Sequence, residues 1–501
     1  MRLHSLAASL ALTFAACLLG PPAFAEPRRF VSSHTAMIGG ETVPYQASVE
    51  EYLIAGRSGK PELSLFATAY VRTGVADAAR RPVVFIFNGG PSAAAIGLHM
   101  QFGPEDQARS QGKSPPDSPP KFVNNPESLL DVADLVMFDP AETGFSRMLP
   151  GGDRSWFYST GGDADSLARL VVAWRRAHGR EHSPLYLLGE SYGSIRQVVA
   201  ADVLAKRGVH VDGQIIFGCS IFLMETSRRT HNIVSTAVSL PMLAATAAYH
   251  GKADTHGRSV ADFVHEVYAF AMQDYLSALA QGYSIGDADK RRMAERLAAY
   301  TGISSEYFMA HDLTVAKQDF NHLLLPGKQL DANDTRIARS VAPAKKPRAQ
   351  PQSPADPYAG IGKLYGDYMH SELGVRLPGV QYRAMAPDSF DGWDFGSGCN
   401  KYLESADLCN PKSDKRSVFV DYDWPEVLKR EFADPRFKTM IVAGYYDGLS
   451  SIGTQFYLAA QLGYPKSRFA IHAYASGHAT AEDPKVRPQV AADVRSFITA
   501  P

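Results

Sequence analysis

Residues 185–194 read LYLLGESYGS, and this stretch constrains the fold more than any other. Four apolar residues, Leu185 to Leu188, run into Gly189-Glu190-Ser191-Tyr192-Gly193. Residues 194–206 (SIRQVVAADVLAK) follow with helical spacing of apolar positions and no proline. Strand, sharp turn and helix is the setting in which Gly-x-Ser-x-Gly forms a nucleophile elbow. The flanking glycines let the chain turn tightly and pass close to its neighbours. The serine hydroxyl is then lifted above the carboxyl edge of a sheet. A chance Gly-x-Ser-x-Gly in a loop lacks those flanks. A working elbow also needs a histidine and a carboxylate from elsewhere in the chain.

The rest of the chain supplies a sheet for it. Residues 26–56 and 62–73 read as an antiparallel opening, with SLFATAYVRT alternating in the manner of a strand. Residues 82–87 (PVVFIF) and 134–138 (DLVMF) are continuous apolar runs, the mark of strands covered on both faces. Residues 213–218 (GQIIFG), 439–443 (TMIVA) and 469–474 (FAIHAY) continue the series. Helical patterns cover 163–176, 453–462 and 483–499. Strands alternating with helices predict a mostly parallel sheet flanked by helices. With the elbow, that is an α/β-hydrolase fold in the α/β class.

Residues 1–25 carry Arg2, an apolar stretch and Ala23-Phe24-Ala25, which predicts a signal peptide cleaved after Ala25 and an exported protein, periplasmic or secreted. Core segments at 26–219 and 437–501 then enclose an inserted, mainly helical cap at 220–436, with helical patterns at 260–280, 287–300 and 312–324. Its Pro/Ala-rich loop, 341–357 (VAPAKKPRAQPQSPADP), lacks the apolar content to pack. A formal charge of −1 gives no basic field for nucleic acid, and no stretch beyond the signal is apolar for long enough to span a membrane. Export permits disulfides, and Cys399 with Cys409 closes a short loop, while Cys219 sits in an apolar run as a buried thiol. The scattered histidines show no metal-ligand spacing, so neither a metal nor a cofactor is expected. The sequence leaves the oligomeric state open.

In this fold the acid and then the histidine follow the serine, each after a late strand. Asp447, in AGYYDG, follows the run at 439–443, and His478, in ASGHA, follows the run at 469–474. A serine hydroxyl is a poor nucleophile near neutral pH, so an imidazole must take its proton and a carboxylate must orient that imidazole. His472 falls within a strand, Asp483 precedes Pro484 as a helix-start residue, and Asp421 and Asp423 precede the strand that carries the acid. The oxyanion hole requires two backbone N–H groups. Tyr192, after the nucleophile, supplies one, and Gly90 in Asn88-Gly89-Gly90-Pro91 supplies the other.

The motifs FNGGP, DPAETGFSR, GESYG, AGYYDG and SGHAT, in that order, resemble those of the serine carboxypeptidase family, in its bacterial exported branch. The resemblance runs from about Val83 to His478 and is weakest in the insert. It implies a peptidase that removes one residue from the carboxyl end of peptide substrates through an acyl-enzyme, with Ser191, Asp447 and His478 as triad. It adds Asn88, Gly89 and Glu190 as holders of the substrate's terminal carboxylate, and places Gln101 where the family has a second glutamate. Two further departures stand out. Ser92-Ala93-Ala94-Ala95 replaces a cysteine-bearing segment, and Glu142 stands in a turn that is usually uncharged. An esterase or acyltransferase using the same triad is the alternative, as is a catalytically inactive binding protein on the same fold.

Overall fold

The computed structural model describes residues 26–107, 122–221, 232–341, 359–387, 392–394 and 424–500. Nine strands form the body of its central sheet: β1 (Arg29–Ile38), β2 (Glu41–Ala55), β3 (Pro61–Arg72), β4 (Val83–Phe87), β5 (Asp134–Phe138), β6 (Leu185–Glu190), β7 (Gly213–Phe217), β8 (Lys438–Gly444) and β9 (Phe469–Tyr474). They lie in the order β1-β2-β3-β5-β4-β6-β7-β8-β9, and the short strand Arg147–Met148 pairs with β3. Pairing is antiparallel from β1 through β3 to β5 and parallel from β5 to β9. This is the mostly parallel sheet of an α/β-hydrolase.

The apolar runs are continuous because alternate residues serve different cores. Val83, Phe85, Phe87, Leu185, Leu187 and Ile216 face one core. Val84, Ile86, Leu188, Ile215, Phe217 and Val442 face the other. Each buried side chain of this size is worth about 1.5–3 kcal/mol, so a polar substitution at either parity strikes a core. Strand order reverses between β4 and β6, since the chain goes from β4 to one side and returns through β6 to the other. Ligands of such sheets bind at that switch point, beyond the carboxyl ends of the strands. The 88–91 loop leaves β4 there and Ser191 leaves β6 there.

The principal helices are α1 (Ile96–Phe102), α2 (Thr160–Ala177), α3 (Tyr192–Lys206), α4 (Ile233–Tyr249), α5 (Val260–Phe270), α6 (Asp287–Thr301), α7 (Ala359–Ser371), α8 (Trp424–Glu431), α9 (Ile452–Leu462) and α10 (Arg487–Thr499). Helical structure continues beyond α5 to Gln281 through a π turn, as the pattern at 260–280 predicts. The helix expected at 312–324 shortens to Lys317–Leu323, because Asp312 and Leu313 adopt φ of 49° and 62°, outside helical space.

The residues between β7 and β8 divide between the two faces. α4, α5 and α6 join the core that contains α2 and α3. α7 crosses to the opposite core, where Tyr368 Oη lies 3.3 Å from Tyr70 Oη and Tyr365 bonds His99. Among the described residues no helix is long and apolar enough to cross a membrane. The proposed signal peptide, the loop from residue 342 onward and both Cys399 and Cys409 lie outside the described residues. Cys219 is buried with a free thiol, which burial pushes up to about 12.

Candidate active site

Ser191 sits between β6 and α3 with φ 57° and ψ −124°, a backbone conformation that costs a non-glycine residue of order 1–3 kcal/mol. Its N–H donates to Phe217 O across the β6–β7 seam at 2.9 Å, which helps fix the turn. The flanking glycines are required by contact. A Cβ at Gly189 would lie 2.6 Å from both Gly193 O and the Phe87 ring, and one at Gly193 would lie 3.2 Å from Phe87 O and Asn88 O. A Cβ at Gly89 would meet Ser191 Cβ at 2.7 Å, so a side chain there would fill the space beside the hydroxyl.

Asp447 and His478 meet beyond the ends of β8 and β9. His478 Nδ1–H donates to Asp447 Oδ2 at 2.8 Å, and Leu449 and Ser450 N–H both donate to Oδ1 at 2.8 Å. The carboxylate is fully buried and held from three directions. Burial of the imidazole works against its charged form, but Asp447 outweighs burial and Glu190 adds to it, so the His478 pKa is raised. The ring packs on Gly218, where a Cβ would lie 2.6 Å from His478 Cε1. Gly218 directly follows Phe217, the register partner of Glu190, so the ring is brought beside the elbow. His478 Nε2 is buried and has no hydrogen-bond partner among the described residues.

Of the residues expected to hold a carboxylate, Asn88 and Glu190 come together. Asn88 Nδ2 donates to Glu190 Oε1 at 3.2 Å, Asn88 Oδ1 accepts from Leu98 N at 3.1 Å, and Glu190 Oε2 is buried without a partner among the described residues. Burial first, then the Glu482 carboxylate, push the Glu190 pKa up to about 7, against the opposing pull of His478 and Asn88. Gln101 is buried on α1, one turn beyond Gly97, with Oε1 unpartnered and no hydrogen bond to Glu190. Gly90 has φ 109°, and its N–H has no acceptor among the described residues. Glu142 turns away from this cluster, accepting from Met148 N at 2.8 Å and pairing with Arg383. Asp483 accepts from Lys485 N at 2.9 Å and from Arg336, and His472 lies 3.4 Å from Asp493, so neither joins Asp447 and His478. Among the described residues, no three His, Cys, Asp or Glu side chains gather as a metal would need.

Two supports escaped the sequence reading. Residues 332–336 brace both loops: Asn333 O accepts His478 N at 2.7 Å, and Thr335 N donates to Tyr446 O at 3.1 Å. Arg336 donates to Ala475 O at 2.6 Å and to Asp483 Oδ2 at 2.8 Å, while lying 5.3 Å from the centre of the Tyr446 ring. Beneath the elbow, Arg196 is fully buried and donates to Asp163 Oδ2 and to Asn88 O, each at 2.6 Å. Neither arginine belongs to a short motif, and no spacing rule links either to its partners.

The family profile described as serine carboxypeptidase matches residues 62–207, the segment that holds β3, β4, β5, β6 and the elbow. No curated protein matches the sequence. Among solved structures, the chain is similar to a proline iminopeptidase from Mycobacterium smegmatis (12% identity, 93% of this chain and 97% of that one, TM-score 0.34). It is also similar to a peroxisomal α/β-hydrolase from Saccharomyces cerevisiae (8%, 95% and 90%, 0.35). A third is a homoserine O-acetyltransferase from Bacillus anthracis (12%, 95% and 98%, 0.32). At these scores the strand order and the elbow carry the fold assignment. The chain has the α/β-hydrolase fold, and its residues 62–207 match the serine carboxypeptidase family profile.

Proposed function

We propose that this protein is a serine-type carboxypeptidase acting on peptides. The observation that carries this reading is the hydrogen bond of part-buried Asn88 to buried Glu190, the residue before Ser191, whose carboxyl interacts with His478 and Asp447. In this mechanism His478 Nε2 takes the Ser191 proton as Oγ attacks the last peptide carbonyl. Asp447 holds the imidazole with Nδ1 protonated and stabilises the imidazolium. The Gly90 and Tyr192 N–H groups receive the oxyanion. His478 then protonates the leaving amine, the terminal amino acid departs, and water repeats the sequence on the acyl-enzyme. Asn88 Nδ2 and a protonated Glu190 donate to the substrate's terminal carboxylate, which selects the chain end. Digestion of a mixed peptide library by wild type and by Ser191→Ala tests this reading. Free C-terminal amino acids should appear only with wild type, and C-terminally amidated peptides should resist. Ester cleavage with no amino-acid release would favour the esterase reading, which the lack of a second glutamate at Gln101 also supports.

The pH dependence follows from two groups. His478 must lose its proton to act, so activity rises with pH on every substrate. Glu190 must keep its proton to donate, and its pKa lies at about 7, so above neutrality peptide kcat/KM should fall relative to that of a neutral ester. Glutamine at 101 is uncharged and donates at any pH, so only one carboxyl needs protonating. Gln101→Glu should therefore move the falling limb for peptides toward acid and leave the ester profile in place. Identical peptide profiles for the two enzymes would exclude Gln101 from the carboxylate site.

Arg336 acts through the loops it joins. Arg336→Ala should lower kcat by roughly 10- to 100-fold through misplacement of the imidazole, with little change in KM. A change confined to KM, or none in kcat, would reduce Arg336 to a surface ion pair.

A further inference from the structure

A cavity of about 630 Å³ lies outside the site described above, lined by Arg147, His370, Arg376, Arg383 and the turn 377–381. Three guanidinium groups converge on it, and one carboxylate, Glu142, pairs with one of them, Arg383. Arg147 is committed to carbonyls of the cavity wall, donating through Nη1 to Gly144 O at 2.9 Å and Ser146 O at 2.7 Å, and through Nη2 to Gln381 O. Arg376 Nη1 donates to His370 O at 2.6 Å and to Val375 O at 2.9 Å. Carbonyl oxygens orient a guanidinium without cancelling its charge. Among the described residues no carboxylate bonds to Arg147 or Arg376, while His370 Nδ1 is tied to Val375 O at 2.7 Å. Burial and the neighbouring Arg383 push Arg147 down to about 10, against the opposing pull of Glu142 and Asp139. A second acid that acts on Arg147, Asp139, is buried and accepts from Ala95 N at 2.9 Å and Tyr382 Oη at 2.8 Å.

We propose that this cavity is a binding site for a small doubly charged oxyanion, a phosphoryl group or a dicarboxylate, distinct from the peptide site. The planar forks of Arg376 and Arg383 suit two oxygens of one anion, and three guanidinium groups lining one cavity favour a ligand of more than one negative charge. The cavity wall is also coupled to the loop after Gly90. Arg383 exchanges backbone hydrogen bonds with Gly144, Ala384 O accepts Ala94 N at 2.9 Å, and Ala386 N donates to Ser92 O at 3.0 Å. An anion seated there would brace that strap.

Calorimetric titration of the full chain with inorganic phosphate, and separately with malonate, against sodium chloride at matched ionic strength, tests the site. Saturable binding of either anion, not reproduced by chloride, is expected, and the better ligand identifies the source. Arg376→Gln, an exposed position that leaves the strap's backbone bonds intact, should weaken binding about tenfold, the equivalent of one charge-assisted hydrogen bond. Ser191→Ala should bind as wild type does, which separates this site from the proposed peptidase reading. Absence of saturable binding by both anions, or equal affinity in Arg376→Gln, would overturn the proposal.

Discussion

Ser191→Ala, His478→Ala and Asp447→Ala are each expected to lower turnover by roughly 10³-fold or more while the protein stays folded. The serine change removes one oxygen and keeps the Cβ that packs at the elbow. The three groups would act as one unit, so the double variant Ser191→Ala/His478→Ala should lose little beyond either single change. Asp447→Asn separates geometry from charge. Its side-chain oxygen can still accept from Leu449 and Ser450 N–H, yet its amide N–H₂ cannot accept the hydrogen bond from His478 Nδ1–H. Turnover should fall steeply there with little loss of stability. Steady-state kinetics on peptide and ester substrates, with the thermal midpoint measured alongside, check all five variants. Near-wild-type turnover in Asp447→Ala would mean the acid lies elsewhere, despite the 2.8 Å bond to His478.

Much of this arrangement is written locally. β4 to β8 are legible because strands buried on both faces cannot spare polar positions, and VVFIF, DLVMF and TMIVA have next to none. The elbow is legible because its glycines answer to contacts within a few residues or across one strand pair. Legibility ends where contacts are distant. Residues 331–336 read DANDTR, a polar stretch indistinguishable from a surface turn, yet their backbone receives His478 N and reaches Tyr446 O more than one hundred residues away. Arg196 sits in a helix whose polar residues suggest a solvent face, and that face lies under the loop leaving β4. The crossing of α7 to the opposite core follows from Tyr365 and Tyr368 finding His99 and Tyr70, partners that no periodicity can name. Gln101 was located by motif order alone, and its alignment with a glutamate carried no information on whether its amide reaches Glu190.

Arg196→Met is expected to destabilise the protein by about 3–5 kcal/mol. The Arg196–Asp163 pair is 2.6 Å long, with side-chain exposures of 0% and 1%. Burial raises the Asp163 pKa while Arg196 holds it down, so removing the arginine leaves a buried carboxylate that must take up a proton or distort its surroundings. Arg196→Met should therefore be less destabilising at low pH, where Asp163 enters the unfolded and folded states alike as the neutral acid. The double variant Arg196→Met/Asp163→Leu removes both charges together and should recover most of the lost stability, because a desolvated pair replaced by apolar groups of similar volume is often neutral. Activity should not return with it. Arg196 also donates to Asn88 O and lies 5.3 Å from the centre of the Tyr192 ring, so without it the loop carrying Asn88 and Gly90 loses a fixed anchor against the elbow. Denaturant unfolding and kcat/KM on the same three proteins separate the two roles. Recovery of both stability and activity in the double variant would make the pair purely structural. Recovery of stability alone makes Arg196 a positioning residue for the loop opposite the nucleophile.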